Sequence, residues 1–291
     1  MQSQNNAAIS AESSVWINNL VNGNAGTTLR VKQPILCSAS PFQKIEVFDT
    51  YGYGLVLSLA GTIVFTERDE HIYHEMICHV PLLAHPKPVR VCIIGGGDGG
   101  CLRQVLRHSA VEHVTIVEID AQVKEVVDAH FPLFAASFND PRVSLIIDDG
   151  YHYLAGSTET FDVIIVDSYD PGGPVATLET ADFFQRVLDR LAPDGLCVFQ
   201  TDSPTLKSAA LRSTIRSMSA IFPAYSYYCC SMPSFPEGIC GFLLCGTNAA
   251  ALHAVDTKRQ AAVEPVCEYY SAQIHTGAFM LPRHIQNIIN R

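Results

Sequence analysis

No stretch of this 291-residue chain approaches the ~20 consecutive apolar residues that span a bilayer, so a membrane-embedded protein is not expected. Basic charge is scarce: 19 Lys and Arg stand against 29 Asp and Glu, a net charge of −10. That balance argues against nucleic acid as the main partner, because phosphate binding needs a basic face. It suits a small polycation steered toward a negative cleft. The ten cysteines include no Cys-x-x-Cys pair, and most sit in apolar runs such as Val91-Cys92-Ile93 and Leu244-Cys245. Reduced, buried thiols are expected rather than bridges or a zinc site. His71, His74, Glu75 and His79 invite a metal hypothesis, but His74-Glu75 and His79 are one residue too far apart for His-Glu-x-x-His, and no metal is expected. Met1-Gln2-Ser3-Gln4-Asn5-Asn6 has no basic segment leading into an apolar one, so no secretory signal is expected and the cytoplasm is the default. Internal repeats and low-complexity segments are absent.

What the chain does have is two acidic tracts, each directly after an apolar run. Gly95-Gly96-Gly97-Asp98-Gly99-Gly100 follows Val91-Cys92-Ile93-Ile94, and Asp167-Ser168-Tyr169-Asp170-Pro171 follows Val163-Ile164-Ile165-Val166. The apolar runs read as buried strands, and an open α/β sheet keeps its ligands beyond the carboxyl ends of its strands. The acids are therefore expected to face a pocket and a cationic ligand.

The chain reads as a loose arm over 1–14, a small antiparallel β domain over 15–70 and an α/β domain over 71–291. Ile45 to Asp49 alternates apolar and polar residues, Tyr51-Gly52-Tyr53-Gly54 reads as a turn, and Leu55 to Leu59 and Thr62 to Phe65 flank Ala60-Gly61. From His71 to Leu83 the spacing becomes helical and ends at His85-Pro86-Lys87-Pro88. Strand-like runs then alternate with helical ones: Val89 to Ile94, Leu102 to His108, Val114 to Ile119, Ala121 to Phe131, Val143 to Ile147, Phe161 to Val166, Ala181 to Leu191 and Leu196 to Phe199. This is the rhythm of parallel βαβ units. Pro193-Asp194-Gly195 reads as a turn, Leu206 to Phe222 as a helix, and Cys240 to Cys245 as a late strand. Tyr225, Tyr227 and Tyr228 read as core or rim aromatics.

The glycine run permits the close backbone approach that a nucleotide-like ligand needs; it also suits a plain tight strand-to-helix connection. Glu118, in Val117-Glu118-Ile119-Asp120, lies near the ~20-residue offset of an acid that accepts both ribose hydroxyls. A pyrophosphate against the loop would be repelled by Asp98, which favours an adenosine-type ligand bearing positive charge. In Asp148-Asp149-Gly150 the acid either receives an exocyclic amine such as that of adenine or caps the following helix. Asp167 and Asp170 line one cavity if the loop through Pro171 and Gly172-Gly173-Pro174 is rigid, or else form a solvated turn.

These segments, in order, resemble the polyamine aminopropyltransferase family, most closely its spermidine synthase branch. The likeness runs nearly end to end through Phe42-Gln43, Tyr73-His74-Glu75-Met76, His79-Val80-Pro81-Leu82, the glycine loop with Asp98, Val117 to Asp120, Asp148 to Gly150, Asp167-x-x-Asp170-Pro171, Gln200 and His275 to Pro282. The resemblance implies a Rossmann-like, methyltransferase-type twisted sheet with helices on both faces, preceded by the small antiparallel sheet. It implies transfer of a 3-aminopropyl group from decarboxylated S-adenosylmethionine, a cosubstrate, to an amine, usually putrescine, with no metal cofactor. By the same resemblance Glu118 holds the ribose hydroxyls, Asp149 the adenine amine with Gly150 beside it, and Pro174 borders the adenosine. Gln43 and His74 contact the cosubstrate or its bound product, and Asp98 anchors the ammonium of its aminopropyl arm. Asp167 is the proton acceptor, while Tyr73, Asp167 and Asp170 hold the acceptor amine together with Phe235. A homodimer or homotetramer is expected from relatives.

Four positions depart from the family pattern. Phe235 stands where a tyrosine is usual, Tyr169 is bulkier than the common residue, Gly172 is smaller, and Glu179 replaces an aromatic. They leave the acceptor open among putrescine, cadaverine, agmatine and longer polyamines. Two other classes share the glycine loop and ribose acid: a methyltransferase using intact S-adenosylmethionine, and a non-catalytic nucleoside-binding protein.

Overall fold

The computed structural model describes residues 15–168, 178 and 180–290. Tyr169, Asp170, Gly172, Pro174 and Glu179, the loop containing them and the arm over 1–14 lie outside the described residues.

The first sheet is a five-stranded antiparallel meander of β1 (Trp16–Val21), β2 (Ala25–Ala39), β3 (Lys44–Thr50), β4 (Gly54–Leu59) and β5 (Thr62–Thr66), paired in chain order. Left-handed Ala60 and Gly61, at φ 51° and 82°, close the two-residue hairpin between β4 and β5, whose turn type requires positive φ at both positions. Pro34 lies in the interior of β2, where a proline cannot donate to the ladder. The pairing with β3 shifts register there, between Pro34 and Leu36.

Helix α1 (Glu70–Ala84) is buried almost all round, as a helix enclosed by protein must be. The second sheet then forms from β6 (Arg90–Gly95), β7 (His113–Glu118), β8 (Val143–Ile147), β9 (Phe161–Asp167), β10 (Leu191–Thr201), β11 (Ala224–Ser231) and β12 (Ile239–Gly246). Its order is β11-β12-β10-β9-β6-β7-β8. Strands β6 to β10 run parallel, and β12 and β11 close one edge antiparallel. Between strands lie α2 (Gly100–Val105), α3 (Ala121–His130), α4 (Pro132–Ala135), α5 (Gly150–Gly156), α6 (Ala181–Asp189) and α7 (Ser208–Ser219). The tail adds α8 (Thr257–Val263), α9 (Ala272–Ala278) and α10 (Arg283–Ile289). The parallel βαβ units expected from the rhythm are present, in the Rossmann-like fold that the resemblance implies. Among the described residues no helix is long and apolar enough to cross a membrane.

One core lies between the sheet, α1 and the tail, and a second on the opposite sheet face beneath α6 and α7. A third packs Ile45, Val47, Leu57 and Phe65 of the small sheet against Val123 and Val127 of α3 and Phe131 and Phe134 near α4. That third core joins the two sheets. All ten cysteines are free thiols, and Cys92, Cys101, Cys197 and Cys245 are among the fully buried ones.

Two local expectations are corrected. Pro193-Asp194-Gly195 is not a turn ahead of a strand: β10 begins at Leu191 and bulges there, with Asp194 at φ 64° and the pairing to β9 jumping from Leu191 to Leu196. The helix expected from Leu102 starts earlier, at Gly100, because the glycine loop feeds straight into it. Tyr225, Tyr227 and Tyr228 lie on β11 as the core or rim aromatics expected, with Tyr227 and Tyr228 in the core and Tyr225 exposed.

Candidate active site

Strands β6 and β9 are neighbours in the sheet, yet the chain leaves β6 toward β7 and β8 and returns to build β9 on the other side. That reversal opens a crevice beyond the strand ends. Its register is specific: Gly95 pairs with Asp167, and the Gly96 amide donates to the Asp167 carbonyl at 3.1 Å. The two acidic tracts thus meet at one point. A cavity of about 350 Å³ opens there, lined by Gln43, Tyr73, His74, Asp98, Glu118, Asp149, Gly150, Asp167 and Phe235 among others. Every described residue expected at the site therefore lines one space.

The glycines do separable work. Gly95, Gly96 and Gly99 are left-handed, at φ 81°, 67° and 80°. A Cβ on Gly97 would sit 2.6 Å from Glu118, so only glycine lets the loop pass beneath that carboxylate. The Gly97 amide donates to Glu118 Oε2 at 3.0 Å and the Asp120 amide to Oε1 at 2.8 Å. Burial pushes Glu118 up to about 7 against these two donors. Asp98 accepts from the Gly100 amide at 2.7 Å. Burial, with the charge of Asp167 adding and that of His74 opposing, pushes it up to about 6.

Asp167 ends β9. Its Oδ1 accepts the Tyr73 hydroxyl at 2.6 Å, and its Oδ2 is buried with no hydrogen-bond partner. The Gln200 side-chain amide lies 3.0 Å from the same phenol oxygen. Burial, then the neighbouring Asp167 charge, raises the Tyr73 hydroxyl well above its ordinary range, so it stays a donor. From the sequence, Gln200 is marked only by the family likeness. Its place one residue beyond the Phe199–Val166 pairing brings it beside Asp167, and the strand-end reasoning used for Asp167 could have found it.

Gln43 reaches the site through α3: its Nε2 donates to Asp120 Oδ2 at 3.1 Å, where the Ser40 hydroxyl also donates at 2.6 Å. Asp149 is a helix cap as well as a lining residue. Its Oδ1 accepts from the Tyr151 and His152 amides at 2.7 and 3.3 Å, and both bonds fall on that single oxygen. Phe235 turns its ring toward Tyr73, centroids 6.1 Å apart.

The other residues considered for a metal diverge around α1. His74 faces the cavity, Glu75 accepts the backbone amides of Glu268, Tyr269 and Tyr270 at 2.8–2.9 Å, and His79 pairs with His108 at 2.9 Å. A helix turns each successive residue by about 100°, which separates neighbours in this way.

Asp98 and Glu118 titrate above their ordinary values of 3.8 and 4.5. Their contribution to stability is full below those ordinary values and lost as pH rises through about 6 and about 7. The ligand-free protein should therefore lose thermal stability over that interval. A diamine, attracted to the cavity as its carboxylates ionise, should raise Tm more at pH ~8 than at pH ~5.5. Differential scanning fluorimetry across this range checks it; a diamine-induced shift independent of pH would contradict the electrostatics.

A carboxylate-lined crevice at the switch point of a Rossmann-like sheet suits an enzyme that takes a small cationic ligand. Residues 70–257 match the family described as the spermine/spermidine synthase domain, and residues 15–67 the spermidine synthase tetramerisation domain. The polyamine aminopropyltransferase of Bacillus subtilis (strain 168) is 36% identical over 277 residues, covering 95% of this chain and 99% of that protein. That of Leptospira biflexa serovar Patoc is 40% identical over 264 residues, covering 90% and 92%. A solved spermidine synthase in complex with the transition-state analogue AdoDATO superposes with a TM-score of 0.91 at 32% identity, covering 95% of each chain. Spermidine synthase from Thermotoga maritima superposes at 0.89, also at 32% identity, covering 95% and 94%. The chain belongs to the spermine/spermidine synthase family and is an aminopropyltransferase.

Proposed function

We propose that this enzyme transfers the 3-aminopropyl group of decarboxylated S-adenosylmethionine to putrescine, giving spermidine and methylthioadenosine. The observation that carries the reading is the pairing of Gly95 with Asp167, which brings the loop of Asp98 and the end of β9 to one cavity, as an ammonium anchor beside a proton acceptor would require. The AdoDATO complex of a structural relative supports the same class of cosubstrate.

In this reading Glu118 accepts the ribose hydroxyls, and Asp149, with Gly150, receives the adenine amine on the oxygen that does not cap α5. Gln43 and His74 contact the cosubstrate, and Asp98 holds the ammonium of its arm. Tyr73, Phe235 and Asp167 line the acceptor side. Asp170 would complete the diamine grip and Pro174 the adenosine border; both belong to the loop outside the described residues.

The acceptor arrives as an ammonium, and Asp167 Oδ2 takes one proton from it. The freed lone pair then attacks the propyl carbon next to sulfur. A C–N bond forms, the C–S bond breaks with its electron pair staying on sulfur, and neutral methylthioadenosine leaves. The sulfonium charge is thereby carried over to the new secondary ammonium, and one proton is released overall. Holding both reactants in line supplies much of the rate, and the fixed carboxylates stabilise the moving charge. The protein itself is proposed to act as a homodimer or homotetramer through the small sheet, and in the cytoplasm.

The test is product formation from decarboxylated S-adenosylmethionine with putrescine, cadaverine, agmatine and spermidine in parallel. Putrescine should give the highest kcat/KM, and a higher value for another amine would reassign the acceptor. Phe235→Tyr restores a hydroxyl beside Tyr73 and should change the KM for the amine by about threefold to tenfold, one hydrogen bond's worth, with the KM for the nucleoside unchanged.

A further inference from the structure

Among the described residues, His74 is the sole imidazole on the cavity wall, and its ring is held on every side. Glu70, one turn earlier in α1, lies 2.7 Å from Nδ1, and Asp98 Oδ1 lies 3.7 Å from Nε2. The rings of Tyr73, Phe65 and Phe134 meet it at 5.3, 6.3 and 6.3 Å. Gly100 supplies the space, since a Cβ there would stand 2.2 Å from the imidazole Cε1. Cys101 of α2 and Asp167 of β9 complete the surroundings, with ligand atoms within 4.8 Å of His74 and of each other. Glu70 is itself clamped. Its Oε1 accepts from Arg103 of α2 at 2.6 Å, and that guanidinium lies over the Phe134 ring at 4.7 Å.

We propose that Glu70, clamped by Arg103, is a positioning residue: it holds the Nδ1 proton of His74 and so leaves Nε2 as the face presented to the ammonium of the aminopropyl arm. This rests on the aminopropyl reading above. An ionised Glu70 can only accept, so Nδ1 keeps its proton in every state. Nε2 is then the one ring atom that gains or loses a proton. Without a bound cation, the carboxylates of Asp98 and Asp167 favour a proton on Nε2. When an ammonium enters that field, the proton leaves to solvent and the Nε2 lone pair accepts an N–H from the ligand. One positive charge replaces another. The titration behaviour agrees: burial opposes ionisation of Glu70, but the His74 bond and the charges of His74 and Arg103 outweigh it and hold Glu70 at about 2. Burial likewise opposes protonation of His74, and the Glu70 bond with the charges of Asp98, Glu70 and Asp167 outweighs it, raising His74.

The test is Glu70→Gln, read by NMR titration of ¹³Cε1-labelled histidines with His74→Asn as the assignment control. The His74 midpoint should fall by about one pH unit or more as the neighbouring negative charge is lost. Affinity for decarboxylated S-adenosylmethionine should weaken by about tenfold, as expected for a charge-assisted contact. Methylthioadenosine, which keeps the nucleoside and lacks the ammonium, should bind within about twofold of wild type. Arg103→Gln removes a positive charge beside the pair, so the His74 midpoint should rise and not fall. The unclamped Glu70 should weaken decarboxylated S-adenosylmethionine by less than Glu70→Gln does and leave methylthioadenosine unchanged; this variant serves if Glu70→Gln fails to fold. An unmoved His74 titration, or equal weakening of both ligands, overturns the proposal. A wild-type chain that binds both ligands in this way yet transfers nothing would overturn the proposed function and not the role of Glu70.

Discussion

Asp167→Asn should lower kcat by about 10² to 10⁴, the range contributed by a positioned proton acceptor. The asparagine oxygen can still accept the Tyr73 hydroxyl that now donates to Oδ1 at 2.6 Å, so the fold and the nucleoside KM should change little. What is lost is the second oxygen, Oδ2, the buried unpartnered atom proposed above to take the amine's proton. The defect should have a pH signature. As pH approaches the ordinary primary-amine value of about 10, bulk solvent delivers more neutral acceptor, and the gap between variant and wild type should narrow. Steady-state kinetics with both proteins from pH ~7 to ~9.5 measures this. A kcat within about threefold of wild type would remove Asp167 from the proton-transfer role.

Asp98→Asn should abolish the choice between two nucleosides. Decarboxylated S-adenosylmethionine carries an ammonium on its arm, whereas the intact molecule adds a carboxylate that would meet Asp98 in a buried site. At pH ~8, above the value of about 6 to which burial raises it, Asp98 is ionised and both effects operate. Removing the charge should weaken the decarboxylated ligand and strengthen the intact one, collapsing the ratio of their dissociation constants by about 10²-fold. Calorimetry with each ligand on each protein gives the ratio. If wild type prefers intact S-adenosylmethionine, the methyltransferase class returns. If the ratio survives in Asp98→Asn, another group sets it.

The acids at the strand ends were the most legible part of the sequence. Asp98, Glu118 and Asp167 each terminate or follow a run apolar enough to be a central strand, and the strand then decides where the carboxylate goes. Burial bears this out, with Ile93, Ile116 and Ile165 fully enclosed. Gln43 and Phe235 have no such local signal. They reach the cavity through packing of the small sheet on α3 and through a loop tied to distant residues, such as the bond from the Thr27 hydroxyl to the Phe235 carbonyl at 2.9 Å. Only the family likeness pointed to them. Glu70 was not anticipated at all, because its meaning depends on Arg103, 33 residues away. The tail helices escaped for a related reason: α8, α9 and α10 have seven residues each, too short to be stable alone, and take their shape from what they dock against. Asp149 shows that two readings of one residue need not compete, since capping occupies one oxygen and leaves the other to the cavity.

Residues 73, 74 and 75 point in three directions from one helical turn: Tyr73 to Asp167, His74 to Glu70 and Asp98, Glu75 to the backbone of 268–270. Such an arrangement is indivisible. Inserting or deleting a single residue upstream in α1 would rotate all three by about 100° at once, uncoupling the reaction centre and unfastening the C-terminal segment in the same event. Length variation among descendants of this chain should therefore accumulate at connections such as 157–160 and be purged from α1, where no intermediate register preserves even one of the three attachments.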